Sequence, residues 1–147
     1  MYPRAKSLGI ILKDNKILVE ERKGKHSTGN GLYYRLIGGT IEFGECSKDT
    51  IIREFKEETA LDIEIIDYIV CLENIFNIED NIGHEIIQIY LVEFKDQMQY
   101  QKESFKIVEG SKITYAKWIS LTDIFRGKII LYPNGLNEVL KNNFNSL

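Results

Sequence analysis

The chain has 147 residues and a formal net charge of −3, and 44% of its residues are apolar and 28% charged. These proportions are ordinary for a globular protein, and the length is enough to bury a sizeable core. The net charge gives no bulk electrostatic reason to expect nucleic-acid binding. No apolar run approaches the ~18 residues that a membrane span needs. We therefore expect one domain, residues 1–147, that binds neither nucleic acid nor a membrane.

Cysteine usage predicts the redox environment. Cys46 and Cys71 are the only cysteines in the sequence, and two isolated thiols do not form a disulfide framework. The first residues lack the apolar core of a secretion signal. Together these features predict a protein of the reducing cytoplasm.

The first third of the chain predicts a hairpin followed by a polar loop. Residues 7–12 and 16–20 are apolar runs separated by the turn Asp14-Asn15, which is typical of a β-hairpin. Residues 22–31 are rich in glycine and basic side chains, and by composition they predict a loop. A solvated loop is the simpler interpretation. The alternative is that Arg22 or one of the lysines contacts a substrate phosphate.

A pair of glycines lies between a predicted strand and a predicted helix. Residues 33–37 predict a short strand that ends at Gly38-Gly39, where the missing Cβ atoms let the backbone approach a ligand closely. Residues 40–43 alternate polar and apolar and predict a half-buried strand. Ser47 is the expected N-cap of a helix that runs to about Thr59.

The end of that helix carries three carboxylates on one face. At 100° per residue, Glu54, Glu57 and Glu58 fall within a stripe about 100° wide, beside an apolar stripe of similar width. Each like-charged pair at ~5 Å costs about 3 kcal/mol at an effective dielectric constant of ~20. Lys56 points elsewhere on the helix, so no neighbouring cation of the chain is expected to compensate the stripe. An all-carboxylate set suits a hard cation such as Mg²⁺ or Mn²⁺.

The rest of the chain alternates between strands and two short helical segments. The predicted strands are residues 62–73, 86–92 and 114–119. The apolar phase changes between Ile65 and Ile66, which indicates a β-bulge. Residues 76–84 predict a turn or hairpin loop, and 95–112 favour no assignment.

Two helical segments near the C-terminus complete the fold prediction. Residues 121–125 predict a helical turn, and 133–144 predict a C-terminal helix with Pro133 near its start. Strands outnumber helices, and helices can cover both faces of a sheet. The pattern therefore predicts an α/β or α+β sandwich.

The central stretch resembles the Nudix box, the sequence motif of the Nudix hydrolases. Gly39, Glu45, the run Arg53-Glu54-Phe55, and Glu57-Glu58 match the family pattern G-x(5)-E-x(7)-R-E-U-x-E-E-x-G-U, in which U is a bulky apolar residue. Leu61 fills the last apolar position. One fixed position departs: Ala60 stands where the family has glycine. The motif covers residues 38–61 directly, and likeness outside it is looser.

The resemblance implies a fold, an activity and residue roles. It implies an α/β/α sandwich with a central mixed sheet, and hydrolysis of a diphosphate linkage in a nucleoside diphosphate joined to another moiety. It also implies that Glu54, Glu57 and Glu58 bind Mg²⁺ or Mn²⁺, and that Arg53 orients a box glutamate. Catalysis would involve Glu54, Glu57, Arg53 and a loop carboxylate, for which we favour Glu109 over Glu103.

Other candidate residues have simpler interpretations. Trp118, Tyr90 and Phe76 could stack on a nucleobase, but core packing is the more common role of each aromatic singly. His84 could be a base, although a histidine beside glycine in a loop is more often a turn residue. Whether Glu54, Glu103 or Glu109 is the general base stays open, as does the number of metal ions.

Three functions are compatible with the motif. The first is a metal-dependent pyrophosphohydrolase acting on a small nucleotide-like diphosphate. The second is a nucleoside triphosphate pyrophosphohydrolase that releases pyrophosphate. The third is a nucleotide-binding regulatory domain without catalysis, which the complete set of acidic residues disfavours. The residues that would choose the substrate lie outside the box, and a homodimer is the assembly considered.

Overall fold

The computed structural model describes residues 2–144, which form ten strands and three α-helices. The termini of the predicted domain, Met1 and residues 145–147, lie outside the described residues. The strands are β1 Arg4–Ile10, β2 Leu12–Lys13, β3 Lys16–His26, β4 Gly29–Arg35, β5 Ile37–Thr40, β6 Ile63–Ile78, β7 Asn81–Phe94, β8 Ser104–Glu109, β9 Lys112–Ser120 and β10 Leu131–Tyr132. The helices are α1 Ser47–Thr59, α2 Leu121–Phe125 and α3 Leu136–Phe144, with a short 3-10 helix at Gln97–Gln101.

Two mixed sheets form the centre of the molecule. The first has the strand order β5-β1-β7-β6, in which β1 and β7 run parallel and the other neighbours antiparallel. The second has the order β10-β4-β3-β9-β8, with β2 paired to β3 and with β10 parallel to β4. The predicted mixed sheet is therefore present as two mixed sheets.

The helices cover the two sides of these sheets. Alternation along β3 places Ile17 and Val19 in one core cluster and Leu18 in another. The first cluster contains the buried residues of α2 and α3, and the second contains Ile51 and Phe55 of α1. Since side chains alternate across a strand, the strands lie between two helical layers. This confirms the predicted α/β class and its layered arrangement. Among residues 2–144, no helix is both long and apolar enough to cross a bilayer.

The polar stretch at residues 22–31 is not a loop, and that prediction is wrong. Strand β3 continues to His26, and β4 begins at Gly29 after a two-residue turn. Gly24 and Gly31 are opposite each other in this ladder. The hydrogen bonds of a strand come from the backbone, so a charged and glycine-rich sequence can still pair where neither face needs to be apolar.

The second hairpin also extends further than the sequence indicates. Residues 76–84 were expected to be a turn, but β6 runs to Ile78 and only Glu79 and Asp80 form the turn. Both have positive φ, 49° and 68°, as a two-residue hairpin turn requires. The predicted bulge is confirmed, because the pairing register shifts between Ile65 and Asp67.

Several other element boundaries differ from prediction. The expected strand at 40–43 ends at Thr40, and Phe43 is fully exposed in the turn that follows. Cys46, not Ser47, is the N-cap of α1, and it makes no side-chain capping bond. The Ser47 hydroxyl is instead paired with the Tyr90 hydroxyl at 2.6 Å. Helix α3 begins at Leu136, three residues after Pro133.

Candidate active site

Helix α1 presents its carboxylates because the face adjacent to them is buried. Ile51 and Phe55 are completely buried and pack the helix against β1 and β5. The helix ends at Ala60, whose φ of 62° and ψ of 17° place it in the left-handed region. The Ala60 N–H donates to the Lys56 carbonyl at 3.0 Å. The acidic stripe is therefore fixed in orientation by the core and by this helix end.

Arg53 joins the glutamates of the motif. Its Nε and Nη2 donate to the two carboxylate oxygens of Glu45 at 2.7 and 2.9 Å. Its Nη1 donates to Glu54 at 3.1 Å and to Glu57 at 3.2 Å. These contacts agree with the orienting role that the resemblance implied. They also correct the expectation that no neighbouring cation of the chain compensates the stripe, because the side chain of Arg53 reaches across to it.

The same contacts set the charge of Glu45. Hydrogen bonds from Arg53, and next from the Thr50 hydroxyl, lower the pKa of the Glu45 carboxyl to about 2. Glu45 is therefore ionised at every physiological pH and serves as a permanent anchor for the guanidinium. Lys56, by contrast, pairs with Asp62 at 3.2 Å and takes no part.

Glu54 and Glu58 form a close carboxyl pair. Burial, the hydrogen bond with Glu54 and the negative charge of Glu54 together raise the pKa of Glu58 to about 8, with smaller contributions from Glu109 and Glu20. At neutral pH the Glu58 carboxyl therefore keeps a proton, since its burial and the nearby charge of Glu54 both oppose ionisation. A cation placed between them could replace that proton.

The donor set fits a hard divalent cation. Glu54, Glu57 and Glu58 offer only carboxylate oxygens, which Mg²⁺ and Mn²⁺ prefer, and the Glu54–Glu58 pair has negative charge to share. Within residues 2–144, however, no three acidic, histidine or cysteine side chains are grouped closely enough to hold a metal ion as they stand. Glu57 is largely exposed and is turned towards Arg53. The assignment of the three glutamates as metal ligands stays a prediction.

A polar cleft of about 820 Å³ lies beside the acidic stripe of α1. Its walls include the three helix glutamates, Gly38-Gly39, and Glu109 at the end of β8. Glu109 lies 3.8 Å from Arg22 Nη2 and 3.9 Å from Arg35 Nη2. Glu103 is exposed and is not among the residues of the cleft. Of the two loop carboxylates, only Glu109 is thus near the motif.

A second cavity, of about 180 Å³ and mainly apolar, adjoins the cleft. The two share five residues: Lys6, Arg35, Gly38, Gly39 and Glu85. The smaller cavity is lined by the rings of His26, Tyr33, Phe76 and Tyr132. The wall is held by hydrogen bonds, because the Tyr132 hydroxyl is bonded to His26 Nδ1 at 2.8 Å and to Thr28 Oγ1 at 2.7 Å.

Of the three aromatic candidates for base stacking, two are engaged in contacts away from the cavities. Trp118 packs on Phe94 and Phe105, and its indole N–H donates to the Lys102 carbonyl at 2.8 Å. Tyr90 is paired with Ser47 as described. Phe76 is the one of the three that lines the apolar cavity. His84 lies 3.2 Å from Glu73 on the β6–β7 hairpin, away from both cavities.

Sequence reasoning missed most residues of the shared rim and of the apolar cavity. Lys6, Arg35 and Tyr132 belong to β1, β4 and β10, and no local spacing connects them. Of the basic stretch, Arg22 lines the cleft and Lys25 lines the apolar cavity. The alternative interpretation of that stretch, contact with substrate, is therefore compatible with where these two side chains lie.

A family model identifies the fold and the motif together. The NUDIX domain model matches residues 3–141. The chain belongs to the NUDIX domain family.

Two curated relatives match part of the chain. The ADP-ribose pyrophosphatase of Methanocaldococcus jannaschii is 43% identical over 61 residues, which are 42% of this chain and 34% of the relative. The NAD-capped RNA hydrolase NudC of Vibrio atlanticus is 39% identical over 69 residues, 46% of this chain and 24% of the relative.

Solved NUDIX structures share the whole fold. The MutT NUDIX hydrolase from Burkholderia pseudomallei superposes with a TM-score of 0.68 at 18% identity and covers 98% of this chain and 99% of its own. A NUDIX hydrolase from Nitrosomonas europaea gives a TM-score of 0.70 at 16% identity, over 99% of this chain and 90% of its own. At these identities the likeness is one of fold. The curated matches span only 34% and 24% of the two relatives' own lengths.

Proposed function

We propose that the protein is a metal-dependent hydrolase that cleaves the diphosphate linkage of a nucleoside diphosphate joined to another moiety. The observation that carries this proposal is the junction of two cavities. The polar cleft, which contains the NUDIX glutamates of α1, opens beside the mainly apolar cavity. Lys6 and Arg35 lie where the two meet. A molecule with a ring system at one end and a diphosphate in the middle matches this sequence of environments.

The metal ligands in this proposal are Glu54, Glu57 and Glu58. They would hold Mg²⁺ or Mn²⁺, which when bound supplies charge neutralisation for phosphate oxygens and makes a coordinated water more acidic. Arg53 keeps Glu54 and Glu57 in place through the contacts described above. Support for the assignment comes from the close Glu54–Glu58 pair, whose excess negative charge a cation would relieve.

The proton of the attacking water needs an acceptor. Glu54 and Glu109 are the candidates that line the cleft, while Glu103 is outside it. We propose that one of these two takes the proton, and that Glu54, Glu57, Arg53 and Glu109 are the catalytic set. A carboxylate held by Arg53 is oriented for this task, and a more exposed one such as Glu109 can adjust its position.

Two alternative functions stay in view. A nucleoside triphosphate would also present a ring system and phosphates, and release of pyrophosphate would then be the reaction. A regulatory domain without catalysis is the less favoured alternative, because all the acidic residues of the motif are present. The name of the M. jannaschii relative, an ADP-ribose pyrophosphatase, supports the first function over both.

The expected setting is that of a cytoplasmic enzyme with a small-molecule substrate, as one domain spanning residues 1–147. We do not expect a nucleic-acid or membrane partner. A homodimer stays a prediction, which light scattering of the purified protein checks.

A substrate panel tests the proposal. The purified protein is incubated with Mg²⁺ and, separately, ADP-ribose, a dinucleotide, nucleoside triphosphates, a capped RNA and AMP, and the products are separated by chromatography. We expect two phosphate-ended fragments from ADP-ribose or the dinucleotide and no reaction with AMP. Preferential release of pyrophosphate from triphosphates would favour the second function. Binding without any turnover would favour the regulatory domain.

A further inference from the structure

A buried carboxylate on β3, Glu20, lies at the centre of a group of charges to which the proposed reaction gives no role. Glu20 is 3% exposed. Arg35 Nε donates to Glu20 Oε1 at 2.9 Å, Arg22 Nε lies 3.3 Å from the same oxygen, and the Thr114 hydroxyl donates to Oε2. A buried charge is tolerated only when paired and hydrogen-bonded, and these neighbours provide both.

Arg35 connects this buried group to the cavities. Arg35 lines both the polar cleft and the apolar cavity, and about a third of its side chain is exposed. Within residues 2–144, Arg35 makes one side-chain hydrogen bond, from Nε to Glu20. Its Nη2 has only the 3.9 Å contact with Glu109. The two Nη groups of Arg35 therefore retain N–H donors for a ligand, while Nε is held by Glu20.

We propose that Arg35 binds the phosphate oxygens of the substrate at the junction of the two cavities, and that Glu20 is the residue that positions it. This inference rests on the proposed diphosphate hydrolysis. A guanidinium held at Nε offers its two Nη groups in one plane, the geometry that matches phosphate oxygens. The half-exposed Glu109 already lies within ion-pair distance of Arg35 and Arg22, so the position attracts anions.

The adjacent carboxylate provides a matched control. Glu21 follows Glu20 on β3, so its side chain points to the other face of the sheet. It accepts hydrogen bonds from Lys117 at 3.0 Å and Tyr34 at 2.9 Å, and it lines neither cavity. The same change, carboxylate to amide, can therefore be made one residue away with comparable partners but without contact with Arg35.

The test uses methylenediphosphonate, a diphosphate analogue that cannot be hydrolysed because a CH₂ group replaces the bridging oxygen. Its binding to the full chain in Mg²⁺ buffer is measured by calorimetry for the wild type, Glu20→Gln, Arg35→Gln, the double variant and Glu21→Gln. We expect Arg35→Gln and Glu20→Gln each to weaken binding about tenfold, the scale of one charged hydrogen bond. The double variant should be within about twofold of Arg35→Gln, since Glu20 acts through Arg35. Glu21→Gln should bind like the wild type.

Kinetics and folding controls complete the test. For the substrate found in the panel, both single variants should raise KM more than they lower kcat. The inference is overturned if Glu20→Gln binds like the wild type, or if the two losses multiply in the double variant. If Glu20→Gln does not fold, Thr114→Val removes one hydrogen bond to Glu20 and should weaken binding severalfold. Unchanged binding in Thr114→Val would then overturn the inference.

The two proposals fail in different ways. In one outcome, the protein hydrolyses a diphosphate but binds methylenediphosphonate equally well with and without Arg35. This result would refute the roles assigned to Arg35 and Glu20 and would leave the proposed function standing. In the other outcome, the protein binds methylenediphosphonate through Arg35 but hydrolyses no diphosphate in the panel. This result would refute the proposed function and would leave the phosphate-binding role of Arg35 standing.

Discussion

The Glu54 carboxyl lies directly against the backbone of Gly39. A Cβ built on Gly39 would stand 2.4 Å from Glu54 Cδ and 2.5 Å from Oε1. Gly39 does not have positive φ, so the requirement for glycine here is steric and not conformational. The close approach connects the glycine of the motif to Glu54 on α1 and fixes where Glu54 can place its oxygens.

Replacing Gly39 should therefore damage the site more than the fold. In Gly39→Ala, the Glu54 side chain must move by an ångström or more, and displacements of that size lower rates by about a hundredfold. Measured kcat/KM should fall on that order, with a small decrease in melting temperature. Gly29→Ala is the control, because its added Cβ would be 3.6 Å from the nearest atom, on His26. Normal activity in Gly39→Ala would show that the position of Glu54 is not critical.

Metal dependence predicts the behaviour of Glu57. Glu57→Gln preserves size and removes one charge from an exposed side chain, so the fold should be intact while the rate falls by orders of magnitude. Added Mg²⁺ should raise the melting temperature of the wild type, since a ligand of the native state stabilises it, and should raise that of the variant less. The control is Glu64→Gln, an exposed carboxylate on β6. Full turnover in excess chelator would refute metal dependence.

The position of the broken bond can be identified by isotope labelling. Because the proposed site holds a diphosphate between the helix glutamates and Arg35, we expect cleavage within the diphosphate bridge. Hydrolysis in ¹⁸O-labelled water should place the label on one phosphate-ended product, as detected by mass spectrometry. Label in a released sugar or alcohol, or turnover of simple phosphomonoesters alone, would contradict this.

Local patterns predicted the elements that depend on neighbours in sequence. The acidic stripe of α1, the helix end at Ala60 and the bulge after Ile65 all follow from residues within a few positions of each other. Arg53 is the instructive exception. Its contact with Glu57 is an i,i+4 pair that helical periodicity does indicate. Its contact with Glu45, which precedes the helix, depends on the tertiary arrangement.

The substrate-facing residues could not be predicted in this way. Lys6, Arg35 and Tyr132 come together only because β1, β4 and β10 are assembled into two sheets. Glu20 gives no signal in sequence, since a glutamate in an apolar strand is usually expected to point to solvent. Its burial becomes understandable only when Arg35 and Thr114 are seen around it.

The charge of Glu20 predicts a dependence of stability on pH. Burial alone would raise its pKa, but the charge of Arg35, hydrogen bonds from Thr114 and Arg35, and the charge of Arg22 together lower it below the ordinary value of 4.5. A carboxyl whose pKa is lower in the folded state adds stability above pH 4.5, and this contribution disappears as pH falls through the folded-state value.

Glu20→Gln should therefore be less stable than the wild type at pH 7, by about 3 kcal/mol, because the paired guanidinium loses its buried partner. Urea unfolding at pH 7 and at successive values below 4.5 should show this difference shrinking. Glu21→Gln serves as the comparison. A difference that stays constant or grows at low pH would mean that Glu20 is not ionised in the folded protein.

Ala60 is the one departure from the family motif, and its geometry makes a prediction about stability. Its φ of 62° is in the left-handed region, which costs a residue with a Cβ roughly 1 kcal/mol or more. Ala60→Gly removes that strain but adds about 0.4–1 kcal/mol of entropy to the unfolded chain. The strain is the larger of the two, so the melting temperature should rise by about 1–3 °C, given a shift of roughly 2–4 °C per kcal/mol for a chain of this size.

An alanine-to-glycine substitution at another position separates backbone strain from unfolded-chain entropy in the Ala60→Gly result. Ala5 is exposed on β1 and has no positive φ, so Ala5→Gly brings only the entropic cost and should lower the melting temperature. If Ala60→Gly also lowers it, the left-handed conformation at residue 60 is not strained. Activity should change little in either variant, because Glu54, Glu57 and Glu58 precede the helix end. A large loss of activity in Ala60→Gly would mean that Ala60 itself sets the position of Glu57 and Glu58.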